Sequence, residues 1–290
     1  MPSITLPRAE WTARARAHEE AVDELTAAHR ERRAAGERHP VEDFLFEYYA
    51  HRPTHLRRWH PGPRVVLENA ADVYEGRSGY VVDESGAARL DEAGFVERRE
   101  RTVTFVRNLL TATLSRPGTH DCFGLHEWAM VYRLEPGEKR HEQLPLRLDQ
   151  AATDEVVESH RIRCSHFDAY RFFTPEAVGR NTLRPTREDQ LEHEQPACLH
   201  AGMDTYKWAF KLAPAIPSQI TLDAFRHALR VRRLDMQASP YDVSDFGLDA
   251  VAIETTEGKA EYVARQRELM VTSNSLRRRI LEVCDLLLPE

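Results

Sequence analysis

The sequence predicts a mainly α-helical protein, with a single helical domain over residues 1–290, or two closely packed lobes, and a small β-hairpin insertion at 64–92. Apolar residues recur at three- and four-residue spacing over long stretches, which is the pattern of helices that bury one face. Short β-tolerant runs between turn residues are concentrated at 64–92. A chain of 290 residues, 41% hydrophobic and 30% charged, is large enough for a substantial core and has an ordinary globular composition.

In the first half of the chain, helices flank the β-tolerant region. The predicted elements are a helix at Glu10–Ala35, a short aromatic helix at 41–50, a hairpin at Tyr80–Leu90 and a helix at Ala93–Ser115. Gly36 ends the first helix, and Pro40 stands in the first turn of the second. The turn residues at 84–86 set the hairpin, and Pro117 and Gly118 stop the last helix.

In the second half, helices alternate with connections broken by proline. The predicted helices are Thr153–Ser159, Cys198–Leu212, Thr221–Gln237 and Lys259–Leu288, the last as one or two helices. Thr221 has the side chain of a helix N-cap. The segments 183–196 and 241–256 are polar or irregular, and we expect loops there.

Three segments combine unusual chemistry. They read HDCFGLHEWAMVYR (120–133), RCSHFDAYRFF (163–173) and CLHAGMDTYKWAFK (198–211). Each places a cysteine within four residues of a histidine and follows with a carboxylate and aromatic rings. An amphipathic helix does not need that mixture, so we predict that the three segments line one cleft.

The third segment has the most explicit spacing. On a helix, His200, Asp204, Lys207 and Lys211 share one face. A histidine and a lysine would keep Asp204 ionised, so that it could act as a base, stabilise a developing cation or bind a metal. The alternative interpretation is a solvated ladder of charges.

The second segment places His166 and Asp168 among aromatic residues. If it forms a strand, these two side chains face one side and Phe167 faces the other. An aromatic pocket with one carboxylate suits a flat, cationic ring. The alternative is a core cluster with a buried, satisfied His–Asp pair.

The first segment gives weak evidence for a metal. His120 and His126 are six residues apart, which is not a helical ligand spacing, and no HExxH motif is present. We therefore assign no metal ligand and expect no cofactor. A metal site with mixed cysteine and histidine ligands from all three segments stays an alternative.

Several classes of protein are excluded or disfavoured. The sequence has no Walker phosphate loop, no dinucleotide fingerprint and no nucleophile elbow. It has no apolar run of membrane-spanning length and no signal-peptide pattern, and its four cysteines are scattered. We expect a cytoplasmic protein with free thiols and no membrane partner. The net charge of −7 argues against strong general affinity for duplex DNA.

The motifs HPVEDFLFEYYAHRPTHLRRWHPG, DCFGLHEWAMVYR, RCSHFDAYRFFTPEA and CLHAGMDTYKWAFKL resemble a family of actinobacterial proteins commonly labelled 3-methyladenine DNA glycosylase. The resemblance extends from about residue 39 to the C-terminus. It implies a DNA-repair hydrolase that cleaves the N-glycosidic bond of an alkylated purine. The helix-hairpin-helix motif of the main alkylation-repair superfamily is absent, so no catalytic position carries over from that group.

The residues are compatible with that activity, which needs a base pocket and a negative charge beside the sugar. The predicted catalytic residues are Asp204, Lys207 and Asp168. The predicted substrate-binding residues are His126, Glu127, Trp128, His166, Tyr170, His200 and Trp208. The partner is then DNA or a small nucleoside. The alternatives are a hydrolase of small nucleosides or nucleotides, a metal-dependent enzyme using the His and carboxylate residues, and a non-catalytic binding protein.

Overall fold

Helices account for most of the residues that the computed structural model describes, which are 3–49, 51–135 and 143–288. Within these residues the helices are α1 (Arg8–Ala35), α2 (Phe44–Tyr48), α3 (Pro53–Leu56), α4 (Ala71–Tyr74), α5 (Glu92–Ser115), α6 (Leu125–Ala129), α7 (Gln150–Ser159), α8 (Phe167–Tyr170), α9 (Pro175–Val178), α10 (Gln190–His193), α11 (Leu199–Lys211), α12 (Ser218–Gln237) and α13 (Thr256–Leu287). The strands are β1 (Ile4–Leu6), β2 (Val65–Leu67), β3 (Tyr80–Val82) and β4 (Ala88–Leu90). The predicted fold class, mainly α with a small β element, is confirmed.

The strands form one sheet in the order β1-β2-β4-β3. The predicted hairpin is present as β3 and β4, which pair antiparallel with Tyr80 opposite Leu90. The sequence analysis placed its β-tolerant runs at 64–92 and did not predict β1, which pairs parallel to β2. Three residues are too few to show a strand periodicity, so β1 depends on its partner strand. The sheet packs on the start of α1, where Trp11 Nε1 donates to Glu68 O at 2.9 Å.

The main core lies between the long helices of the second half and α5. Helix α11 packs along α12, and α13 packs against α5, α11 and α12. Large buried side chains such as Phe225, Tyr206 and Tyr262 fill the space between them. This arrangement places α11 in the interior, and ten of its thirteen residues are buried.

Most predicted helices agree with the structure to within a few residues, but the predicted cap of α12 was wrong. The helix begins at Ser218, with Pro217 as its N-cap residue. The carbonyl of Pro217 already accepts from the backbone of Ile220 at 2.9 Å, so Thr221 lies inside the first turn. The segment 183–196 contains one helical turn, α10, and α13 is one continuous helix. Ala50, at the end of the predicted aromatic helix, lies outside the described residues.

No helix in the three described ranges is both long enough and apolar enough to cross a membrane.

Close packing of α11 on α12 and α13 depends on Gly202. A Cβ at this position would lie 2.9 Å from Ser273 Oγ and 3.7 Å from Val231 Cγ2. Ser273 cannot move away without loss, because its hydroxyl is hydrogen-bonded to His227 Nε2 at 2.7 Å in the buried interface. The absence of a side chain at residue 202 is therefore required by the neighbouring helix.

We expect Gly202→Ala to destabilise the protein by about 1–3 kcal/mol, as overpacking of a closely packed core does. Gly179→Ala is the matched control, since Gly179 has helical backbone angles and nothing within 4 Å of its added Cβ. The control should be neutral or slightly stabilising. Urea unfolding of both variants measures the difference, and equal stabilities would contradict the packing argument.

Candidate functional site

The three segments meet in the interior, as their composition predicted. His126 lies on α6, His166 stands just before α8, and His200 is in the first turn of α11. The ring centroids of His126 and His200 are 4.6 Å apart, and those of His166 and His200 are 5.3 Å apart. Asp235 of α12, which belongs to none of the three segments, joins them with its carboxylate 2.9 Å from His126.

Local backbone geometry fixes the direction of α6. Phe123 and Gly124 both adopt positive φ angles, 46° and 74°, so the chain turns sharply before the helix begins. A phenylalanine in this region is conformationally costly, and such strain is typical of functional turns. Trp128 Nε1 donates to Ala238 O at 2.9 Å and anchors α6 against the end of α12. The turn and the anchor together direct His126 and Glu127 toward α11 and α12.

Four buried residues form what we call the His/carboxylate cluster: His126, Glu127, His200 and Asp235. Each offers one donor atom, and these atoms all lie within 4.8 Å of one another. His126 Nε2 lies 2.9 Å from Asp235 Oδ1 and 3.9 Å from Glu127 Oε1. Arg232 supports both carboxylates, with Nη1 at 2.9 Å from Asp235 Oδ2 and 3.6 Å from Glu127 Oε1. The cluster is therefore tight and electrostatically balanced.

Burial and neighbouring charges set the protonation of the cluster. Burial alone would lower the pKa of His126, but the Asp235 carboxylate raises it well above its usual value. Burial and the neighbouring His126 hold the pKa of His200 well below the ordinary range. The pKa of Asp235 is lowered despite its burial, because His126 and Arg232 favour the carboxylate. His200 is thus neutral and Asp235 is ionised.

Three buried imidazole nitrogens of this region have no hydrogen-bond partner among the described residues: His166 Nδ1, His166 Nε2 and His200 Nδ1. His166 Nε2 approaches Asp204 Oδ2 at 3.4 Å, which is long for a hydrogen bond and poorly directed. Buried polar atoms are nearly always paired, so unpaired ones need an explanation such as catalysis or ion binding. On the other side of the cluster, His126 Nδ1 lies 3.6 Å from Cys122 Sγ.

A second group, the Asp204 ion-pair group, adjoins the cluster and consists of Asp204, Lys207, Asp168 and Tyr49. Lys207 Nζ lies 2.8 Å from Asp204 Oδ2, and Tyr49 OH donates to Asp204 Oδ1 at 2.9 Å. Burial would raise the pKa of Asp204, but Lys207 and His166 hold it well below the usual range. Asp204 is only 2% exposed, so the alternative of a solvated charge ladder was wrong for this residue. Lys211, two turns beyond Asp204, is exposed.

The second segment is not a strand. Residues 167–170 form the single turn α8, and His166 is its N-cap residue. His166 therefore points inward to Asp204, while Asp168 lies nearer the surface and contacts Lys207 at 3.4 Å and Arg171 at 3.0 Å. The strand hypothesis was wrong although aromatic residues favour strands, because tertiary packing overrides local preference in so short a run.

A narrow crevice leads to the two groups. Its volume is about 10 Å³, and it is lined by Phe44, Tyr48, Glu127, Met130, Asp168, Phe172, His200 and Arg232. That volume accommodates roughly one water molecule. The crevice is therefore open enough for an ion or a water, and a purine base would fit only after the aromatic side chains move.

The three aromatic residues proposed to contact a base lie elsewhere. Trp128 is fully buried in the main core. Trp208 packs against Phe105 at 5.6 Å between ring centroids, with Lys207 Nζ 4.6 Å from the centre of its ring. Tyr170 packs on Phe173, and its hydroxyl accepts from Arg184 at 3.2 Å. Other aromatic side chains line the crevice instead: Phe44 and Tyr48 from α2, and Phe172, which follows α8.

Sequence reasoning missed Asp235, Arg232 and Tyr49. Arg232 and Asp235 stand three residues apart on α12 in a run rich in arginine, which looks like a solvated helix face. Tyr49 lies in the aromatic segment 41–50, which was interpreted only as a helix. The resemblance motif HPVEDFLFEYYA contains Tyr49, and this was the one signal that could have included it.

No protein-family model matches the chain, and no curated protein or solved structure matches it either. Similarity to known proteins therefore assigns neither a family nor an activity, and the expected glycosylase activity stays a prediction.

Removing the charge of Asp204 should destabilise the fold, because the longer contact with Asp168 would then be the only ion pair of Lys207 among the described residues. We expect Asp204→Asn to cost about 2–4 kcal/mol at pH 7, at or slightly below the usual cost of breaking a buried ion pair. The double variant Asp204→Asn/Lys207→Met should recover most of that loss. Urea unfolding measures both. A loss below about 0.5 kcal/mol in the single variant would show that the pair contributes no more than a surface ion pair.

The contribution of Asp204 should also depend on pH. Because the folded-state pKa of Asp204 is depressed, its stabilising effect is fully present above the unfolded-state pKa, which is about 3.9. The effect is lost as the pH falls below that value toward the lower folded-state pKa. The stability difference between wild type and Asp204→Asn should therefore be constant between pH 5 and 8 and shrink below about pH 4. A difference that is independent of pH down to pH 2.5 would contradict this.

Proposed function

We propose that the protein is a metal-dependent hydrolase whose divalent ion is held by the His/carboxylate cluster. The single observation that supports this most is the convergence of four buried side chains of metal-ligand type, with donor atoms within 4.8 Å of one another. The four side chains come from three helices: His126 and Glu127 from α6, His200 from α11 and Asp235 from α12. The ligand set of two imidazoles and two carboxylates is typical of zinc, iron and manganese sites.

The distances between donor atoms fit a common ion. In octahedral coordination, ligands about 2.1 Å from one ion are separated by about 3 Å when adjacent and about 4.2 Å when opposite. His126 Nε2 is 2.9 Å from Asp235 Oδ1 and 3.9 Å from Glu127 Oε1, close to these two values. An ion bound there would replace the proton that His126 and Asp235 share. His126 Nδ1 would keep its contact with Cys122, as a ligating histidine usually keeps an outer partner.

Arg232 has a distinct part in this proposal. Its Nη1 already supports Asp235 and Glu127, whereas its Nε and Nη2 are buried and have no partner among the described residues. The side chain also lines the crevice. We therefore assign to Arg232 the binding of an anionic oxygen of the substrate. The bound ion would supply activation of a water molecule or polarisation of a substrate oxygen.

The metal proposal predicts one tightly bound ion per chain. Protein reconstituted under reducing conditions with Zn²⁺, Mn²⁺ or Fe²⁺ should retain about one equivalent after desalting. The bound ion should raise the thermal midpoint, since a ligand at 100 times its Kd stabilises the native state by about 2.7 kcal/mol. His200→Ala and Asp235→Asn should lose the ion.

The matched control is His120→Gln. His120 was one of the histidines of the metal alternative, and the cluster does not include it. This variant should retain the metal content and the thermal shift of the wild type. Absence of a bound ion and of any thermal shift with all three metals would refute the proposed centre. If His120→Gln lost the ion to the same extent as His200→Ala and Asp235→Asn, metal binding would not be specific to the cluster.

N-glycosidic hydrolysis that releases an alkylated purine such as 3-methyladenine is the second candidate function. It is favoured by Asp204, which stays ionised in a buried position beside Lys207 and could stabilise the positive charge that develops on a sugar. The substrate would be alkylated DNA or a small nucleoside. Binding of a base would require Tyr48 and Phe172 to move away from the crevice.

For this second candidate, we expect the wild type to release 3-methyladenine from alkylated DNA or free base from nucleosides, and Asp204→Asn to lower the rate at least about 100-fold. Asp189→Asn, on the partly exposed helix turn at α10, is the control and should be unchanged. Release by metal-free Asp235→Asn protein would indicate a glycosylase that needs no metal. No release by the wild type from either substrate would exclude this function while leaving the metal-binding result intact.

A further inference from the structure

A second and larger depression lies at the C-terminal end of α11, and we call it the cationic cleft. Its volume is about 560 Å³, within the usual range of small-ligand sites. Its lining comes from the loop around α3, the turn before β3, α5, the end of α11 and the start of α12. These residues are His51, His55, Leu56, Arg58, His60, Arg77, Ser78, Arg99, Phe210, Lys211, Ala213, Pro214, Ser218 and Thr221.

The lining contains three arginines, one lysine and no carboxylate, although the whole chain carries a net charge of −7. Among the residues that the structure describes, Arg58, Arg77, Arg99 and Lys211 form no ion pair. Arg99 only donates to the backbone oxygen of Lys211 at 3.3 Å, and Arg77 lies over aromatic rings. Uncompensated cations that share one concave surface attract anions.

Arg57 and Arg98, the sequence neighbours of Arg58 and Arg99, do not line the cleft, and both form ion pairs. Arg57 is 3.0 Å from Glu19 and 3.1 Å from Asp23, and Arg98 is 3.5 Å from Asp91. The chain therefore has carboxylates for the arginines beside the cleft and none for those inside it. This difference separates the cleft from the general abundance of arginine in the sequence.

Two histidines that line the cleft have lowered pKa values, mainly because they are buried and secondarily because cations lie nearby. Burial, with His55 and Lys211 nearby, lowers the pKa of His51 to about 4. Burial, together with Arg77, lowers the pKa of His60 to about 3. The ring of His51 is stacked on Phe210 with 3.6 Å between centroids, and its Nδ1 is buried with no hydrogen-bond partner among the described residues.

We propose that the cationic cleft binds the phosphate groups of a small organic phosphate. The planar forks of Arg58, Arg77 and Arg99 match phosphate oxygens, and Lys211 adds a fourth positive charge. Phe210 and Pro214 give the organic part of the ligand an apolar surface. A small ligand is favoured over nucleic acid because the cleft is bounded and the rest of the chain is acidic.

This binding site is separate from the His/carboxylate cluster. Lys211 is eleven residues beyond His200 on α11, which corresponds to about 16 Å along the helix axis. Phosphate bound at Lys211 therefore does not contact the cluster. Binding at the cleft can be measured without metal or turnover, so its success or failure is independent of the proposed hydrolase activity.

The test uses inorganic pyrophosphate and AMP as probes, with calorimetry on the full-length wild type at low ionic strength. We expect saturable binding of one equivalent for at least one probe. Arg58→Gln and Arg99→Gln should each weaken it at least tenfold, since each removes a charge-assisted contact. Arg57→Gln and Arg98→Gln are the matched controls, and their affinity for the probe should stay within twofold of that of the wild type.

Titration of the histidines provides a second readout that does not depend on the variants. A bound phosphate should raise the pKa of His51 and His60, because an anion favours the imidazolium form. No binding of either probe, or equal losses in the matched controls, would overturn the proposal. Tighter binding of a short DNA duplex than of either probe, with a steep salt dependence, would also overturn it and identify a nucleic-acid surface instead.

Discussion

Compensation of buried charge is the constraint on which the arrangement of the helices depends. Two carboxylates, Asp204 and Asp235, are ionised inside a helical core, where an isolated charge would cost several kcal/mol. Each receives its partners from more than one element: Tyr49 reaches Asp204 from the end of α2, and His126 reaches Asp235 from α6. The segments around α2, α6, α8, α11 and α12 therefore have to converge on one small volume.

Stability alone does not account for this polar interior. Buried ion pairs can often be replaced by apolar residues of similar size without loss, so their presence is weak evidence of a stabilising role. The groups of this core also adjoin a crevice, and two of its imidazoles have nitrogens with no partner among the described residues. Both features are costly in a purely structural network and useful in a site that binds an ion and a substrate. This is the physical reason for placing function at the cluster.

The sequence predicted the long helices and the hairpin, because their periodicity is strong and local. It did not predict β1, whose three residues are specified by a partner strand, or the start of α12, where a backbone carbonyl replaces a side-chain cap. For the site, composition correctly brought His126, His166, His200 and Asp204 together. Asp235 could not be found in that way. Arg232 and Asp235 form a buried ion pair on α12, and its sequence pattern is the same as that of a solvated pair. The two cases differ only in what packs against the helix. That information lies in the tertiary structure.

Helix α11 connects the two proposed sites and fixes the distance between them. Its first turn supplies His200 to the cluster, and its last turn supplies Phe210 and Lys211 to the cleft. A chain of contacts also joins the Asp204 ion-pair group to the cleft: Tyr49 OH donates to Asp204, the ring of Tyr49 stacks on His51, and His51 stacks on Phe210. Substitutions of these rings would disturb the Asp204 ion-pair group and the cleft at once. Arg58 and Arg99 lie outside this chain of contacts, on the loop after α3 and on α5. Their substitution therefore tests the cleft while leaving the cluster in place.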